Sequence, residues 1–187
     1  MIKKISILVL LSIFIISCWE NEEDNGATIS WLIKTETQHI SIDIPSNWKV
    51  MKDFEDILPK PKDSSIELAV TSEKLVNGFY NNLLILSDDL TSFISSKDFS
   101  ILNNIWAETD YLDYRKIESK TFKFLDEEES MIYIFEAKYN LDTPKLKFLQ
   151  TAHICNQNKA FFFTIAIPNS VSDTSKYEYL LSTFSCK

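Results

Sequence analysis

Four runs rich in aromatic and β-branched residues follow one another through the second half of the chain, at 116–125, 131–139, 146–155 and 160–167. Such residues fit a pleated, half-buried surface. Only Asp126–Ser130, Asn140–Lys145 and Asn156–Lys159 separate them, connections of four to six residues. That is too short for a crossover between parallel strands, which needs a dozen or more residues, so the four runs must fold as an antiparallel meander.

The first half adds shorter strand signals. Ile40, Ile42 and Ile44 alternate with Ser41 and Asp43, and Ile29, Trp31 and Ile33 precede them in the same rhythm. Ile66, Leu68 and Val70 alternate likewise, and Asn82–Leu86 is a short apolar run. Period two is the mark of a strand with one face buried. Helical spacing occurs in fewer places. Tyr177, Leu180, Leu181 and Phe184 form one stripe near the C-terminus, with Ser170 or Ser172 as its cap, Asp173 in its first turn and Pro168 ending the strand before it. Leu90, Phe93 and Ile94, then Leu102, Ile105 and Trp106, make two further stripes broken at Lys97-Asp98. They read as two short helices or one broken helix, with the apolar side toward the core. Asp53–Leu58 adds a helical turn before Pro59. The expected fold is α+β: a single twisted antiparallel sheet of about six to eight strands flanked by a few helices, the closing helix on one face and the middle helices on the other.

The N-terminus points to a compartment. Lys3 and Lys4 precede an apolar run from Ile5 to Ile16, interrupted only by Ser6 and Ser12. A membrane span needs about 20 apolar residues, so this run has the length of a signal-peptide core instead. Ile15-Ile16-Ser17-Cys18 then resembles the bacterial lipobox. The resemblance implies that residues 1–17 are a lipoprotein signal peptide and that Cys18 carries lipid. Several acyl chains on one residue anchor stably where one does not. Residues 18–27 read as the lipidated cysteine and a flexible acidic tether, and 28–187 as the folded domain. Residue 19 is tryptophan rather than the aspartate of a common inner-membrane retention signal, so the outer membrane is favoured, with a periplasmic or surface-exposed domain.

Composition excludes several function classes. The chain carries a formal charge of −8, and loss of Lys3 and Lys4 takes this to −10, so nucleic acid is not an expected partner. Gly26 and Gly78 are the only glycines, too few for a phosphate-cradling loop or a nucleophile elbow. The only histidines, His39 and His153, belong to no zinc motif, and no C-x-x-C pair exists. His153 and Cys155 lie two apart on a predicted strand and so share a face, but the pairing reads as structural. The acidic runs, Glu22-Glu23-Asp24, Asp88-Asp89 and Asp126–Glu129, read as solvated charges in a linker, a helix start and a turn. No catalytic residue, metal ligand or cofactor is expected. With Cys18 lipidated, Cys155 and Cys186 remain as an even pair in an oxidising compartment. The expectation is a disulfide pinning the C-terminal helix to the sheet.

Ile40-Ser-Ile-Asp-Ile-Pro-Ser-Asn-Trp48, the final meander and Tyr179-Leu-Leu-Ser-Thr-Phe184 together resemble the PsbP-like fold group, which includes the DcrB-type bacterial lipoproteins. The likeness runs over about residues 28–184 and departs from the group's pattern in lacking its usual glycine at Asp126–Ser130. It implies a non-enzymatic accessory, assembly or chaperone-like protein, and it brings no catalytic residue with it. The expected function is thus a lipid-anchored envelope module that binds a protein partner of unknown identity. The alternative is an immunity or inhibitor lipoprotein that neutralises a toxin or hydrolase.

Overall fold

A computed structural model describes residues 31–52 and 64–187. The expected signal peptide at 1–17, the expected lipidated Cys18 and tether at 18–27, and the expected turn at Asp53–Leu58 lie outside the described residues. In chain order the elements are β1 (Leu32–Glu36), β2 (Ile40–Pro45), β3 (Trp48–Val50), β4 (Ser65–Ser72), β5 (Asn82–Asp89), α1 (Ser96–Asp110), β6 (Leu112–Lys123), β7 (Glu129–Lys138), β8 (Leu146–Cys155), β9 (Lys159–Pro168), α2 (Ser175–Ser182) and β10 (Ser185–Cys186). Seven strands form one sheet in the order β3-β4-β5-β9-β8-β7-β6, and β1-β2-β10 form a second, smaller one. Every pairing is antiparallel.

The fold class and the meander are as expected. The division into two sheets is a correction, because β1 and β2 were expected to belong to the one large sheet. They pair instead with β10, through Ser185↔Ser41 and Cys186↔Ile40.

Alternation along the central strands builds two cores. Ile132, Ile134, Leu149, Phe161, Phe163, Ile165 and Ile167 point to one face of the large sheet. The small sheet covers them with Ile40, Ile42 and Ile44, and α2 with Tyr177, Leu180 and Leu181. Tyr133, Phe135, Ala137, Leu146, Phe148 and Ala166 point to the other face, where Ala107 of α1 meets them. Phe135 stacks on Phe148 at 5.2 Å, and Tyr111 tilts against Phe148 at 4.8 Å. Helices therefore cover opposite faces, as expected.

Local chemistry moved several boundaries. A single middle helix forms, starting where Ser95 Oγ accepts from the Asp98 backbone N–H at 3.0 Å and donates to the Asp98 carboxylate at 2.7 Å. Leu90, Phe93 and Ile94 are consequently in the β5–α1 connection and not in a helix. Asp88 and Asp89 end β5 instead of opening a helix, and Asp89 pairs with Lys159 at 2.9 Å. The closing helix is capped by neither Ser170 nor Ser172. Its Ncap is Thr174, and Asp173 accepts from the Ser175 N–H at 2.9 Å, which holds its carboxyl below the usual range. At the turn lacking the group's glycine, Glu127 itself takes a left-handed φ of 72°.

Candidate functional site

Two groupings carry chemistry among the described residues. The first surrounds the expected disulfide. Cys155, the last residue of β8, is bonded to Cys186 of β10, with their Cα atoms 5.8 Å apart. His153 lies on the same face of β8, with Nδ1 3.8 Å from the Cys155 sulfur and 3.7 Å from that of Cys186. Its Nε2 meets Asp126 Oδ2 at 2.9 Å, and its ring lies against Phe124 and Phe184 at 4.7 and 4.9 Å. Histidine, sulfurs and carboxylate thus converge from β8, β10 and the β6–β7 turn.

In outline this is a cysteine–histidine–acid arrangement. The bond between the sulfurs decides its role. Neither sulfur is a thiolate, so the cluster offers no sulfur nucleophile and no thiolate ligand for a metal. His39 stands apart and pairs with Glu67 at 3.0 Å. A cleft of about 230 Å³ beside Cys155 is bordered by His39, Asp89, Lys159 and Lys187. Its charges are spent on each other or on close neighbours: Lys159 on Asp89, and Lys187 on Glu36 at 2.8 Å. The grouping is a staple joining the small sheet to the large one.

The second grouping is on α1, and it reverses an expectation. The stripe Leu102, Ile105 and Trp106 was expected to face the core. It faces outward, with exposures of 49%, 57% and 65%. The buried side is Ser96, Ser100, Asn104 and Ala107. Small side chains at i, i+4, i+8 and i+11 let the helix backbone sit close to the aromatic face of β7 and β8. Hydrogen bonds then fasten it there: Ser100 Oγ donates to the Met131 carbonyl at 2.7 Å, and Ser96 Oγ accepts from the Ile154 N–H at 2.9 Å. Ser130 Oγ donates to the Ser96 carbonyl at 3.2 Å.

This inversion has a measurable consequence. Ser100→Leu is expected to cost about 1–3 kcal/mol, by overpacking and by loss of the bond to Met131. Leu102→Ser, which removes a large apolar side chain, is expected to change stability by less than about 0.5–1 kcal/mol. Urea titrations of the two variants compare them directly. If Leu102→Ser proved the costlier, α1 would be packed the other way round.

The apolar face continues past the helix. Phe93 is 75% exposed, and Leu90, Ile94, Phe99 and Leu102 line a shallow cleft of about 380 Å³ together with Asp88, Asp89, Thr91 and Ser92. Acidic groups lie in or beside it: Asp88 and Asp89 in its lining and Asp98 one turn before Leu102 on α1, against Lys97 and the Lys159 that pairs with Asp89. The last turn of α1 holds no basic residue, so carboxylates and the negative end of the helix dipole fall together there. The sequence singles out Leu90, Phe93, Ile94 and Leu102 but not Phe99, and their spacing alone places them inside. The small buried face was the signal that reveals their direction.

The domain is an antiparallel α+β sandwich of the PsbP-like fold. The solution structure of cyanobacterial PsbP (CyanoP) from Synechocystis sp. PCC 6803 matches it with a TM-score of 0.57 and 13% identity, over 87% of this chain and 96% of that one. A crystal structure from Bacteroides thetaiotaomicron matches with a TM-score of 0.39 and 11% identity, over 79% and 45% of the two chains, which is too distant to bear on the fold. No family model and no curated protein matches the sequence.

Proposed function

We propose that this protein is a non-catalytic, lipid-anchored module of the bacterial envelope that works by binding another protein. The observation that carries the binding part is α1, a helix that turns Leu102, Ile105 and Trp106 to solvent and Ser96, Ser100 and Asn104 to the core. Solvation would drive those faces the other way, so an outward apolar face fits a helix whose apolar side is completed by contact. The non-catalytic part is supported by the Cys155–Cys186 bond, which occupies the sulfurs beside His153. The anchor rests on Lys3-Lys4, the apolar run and Ser17-Cys18.

Two experiments test this reading. Metabolic labelling with a tagged fatty acid is expected to mark the wild-type chain and to leave Cys18→Ala unlabelled. Equal labelling of both would remove the anchor. A photo-crosslinking residue in place of Trp106 is expected to give one defined protein adduct in native membranes, absent when Leu102 is also changed to glutamate. The same probe at Glu118, on β6, is expected to give none. Equal adducts at both positions, or none at 106, would overturn the binding role.

A further inference from the structure

Resting on that reading, we infer what kind of partner surface the α1 face receives: a protein segment that inserts an arginine or lysine into the cleft between the end of β5 and α1. The cleft has the two features such a side chain needs. Phe99, Leu102 and Ile94 give apolar wall for the methylene stem, and Asp88 gives a carboxylate for the charged head.

Asp88 is in an unusual state for a surface acid. It points to the same face of the large sheet as Leu84 and Leu86, by strand alternation from the inward Leu83 and Ile85. Its Oδ1 is shut off from water and finds no hydrogen-bond partner among the described residues. Its neighbour Asp89 is already paired with Lys159. A carboxylate oxygen deprived of both water and donor is costly to keep. The terminal carboxyl torsion is broad and two-fold, so a small rotation presents that oxygen to the cleft. A cation arriving there completes a charge-assisted bond, which for the planar guanidinium is bidentate.

The rim decides between classes of occupant. Asp88 and Asp89 line the cleft and Asp98 lies one turn before Leu102 on α1, against Lys97 and the Lys159 that pairs with Asp89, in a chain whose formal charge is −8. A second copy of the chain would bring these carboxylates against their own kind, and an anionic lipid surface would be repelled in the same way. A protein segment with apolar residues flanked by basic ones meets both the apolar platform and the rim. Phe93 and Trp106, both exposed and flanking the lining residues Ile94, Phe99 and Leu102 in sequence, would then be open to its apolar residues.

The test uses the full chain, isotope-labelled, and a helical peptide with leucine at i, i+3, i+4 and i+7 and arginine elsewhere. The peptide is expected to shift the backbone amide resonances of Leu90, Ile94, Phe99 and Leu102 saturably. Asp88→Asn is expected to weaken it roughly tenfold, the scale of one charge-assisted bond. The same peptide with glutamate in place of arginine is expected to leave those resonances unmoved. Unchanged affinity for Asp88→Asn, or shifts confined to other surfaces, would overturn the cleft. Stronger shifts with phosphatidylglycerol vesicles would assign the face to membrane. A dimer in sedimentation that Trp106→Glu dissociates would assign it to a second copy. The two readings fail separately: an adduct at 106 whose yield is the same in Asp88→Asn as in the wild type keeps the binding role and removes the arginine or lysine pocket.

Discussion

Phe184→Ala is expected to lower the stability of the folded domain by about 3–5 kcal/mol, the range for removing a large buried ring that neighbours cannot refill. Phe184 follows α2 and is 1% exposed. Its ring lies 4.8 Å from that of Phe163 and 5.4 Å from that of Phe161, both on β9, and 6.2 Å from that of Phe124 after β6. The fourth neighbour is the His153 ring. One side chain thus ties the C-terminal segment to β9, to the β6–β7 turn and to β8. Backbone bonds fix these neighbours to the sheet, so a cavity there has little freedom to collapse. Small domains hold only about 5–15 kcal/mol in all, which makes this loss a large share. Phe184→Leu, which keeps most of the volume, is expected to cost less than about 1.5 kcal/mol. Urea unfolding with an unchanged slope and a shifted midpoint measures both; a loss below about 1 kcal/mol for the alanine variant would mean the site relaxes.

The disulfide is expected to matter nearly as much, by a different route. Cys155 and Cys186 are 31 residues apart, and closing a loop of that size restricts the unfolded chain by roughly 3–4 kcal/mol in the chain-entropy treatment. Replacing both with alanine, or reducing the bond, is expected to lose that amount. The folded state also suffers locally, since β10 has only two residues paired to β2. The Lys187 N–H donates to the His39 carbonyl at 2.9 Å, and its Nζ to Glu36 at 2.8 Å. With the bond cut, amide exchange at Ser185–Lys187 is expected to rise well before the central strands open. An unreduced protein that still titrates two thiols, or a melting temperature indifferent to reductant, would contradict this.

Much of the fold was legible because it is set by local pattern. Leu146–Cys155 begins and ends where its composition does, and Ile40, Ile42 and Ile44, read as the buried side of an alternating strand, are all buried. The small sheet was not legible. Its existence depends on Ser185-Cys186 pairing with Ser41 and Ile40 across most of the chain, and two residues carry no periodicity. The α1 stripe shows a different limit. Spacing says which residues share a helix face, but not which face meets the sheet. Here Ser96 and Ser100 won the inner position because small side chains and three hydrogen bonds permit close approach, and they carry Asn104 inward with them. Of the candidate site residues, the pairing of Cys155 with Cys186 follows from counting cysteines. The contact of His153 with Asp126 does not, since it joins a strand to a turn 27 positions away. The cleft at Asp88 was hidden for the same reason, because it lies between two elements whose docking no single segment encodes.

The two border strands of the large sheet have a consequence for behaviour in crowds. β3 is only three residues long, and β6 slips register twice, between Leu112 and Arg115 and again between Lys116 and Glu118. Along its length β6 carries Asp113, Arg115, Lys116, Glu118, Lys120 and Lys123. A stunted margin on one side and a buckled, ionic one on the other make poor templates for recruiting a neighbour's backbone. At these two borders, copies crowded together find little to knit into a fibril.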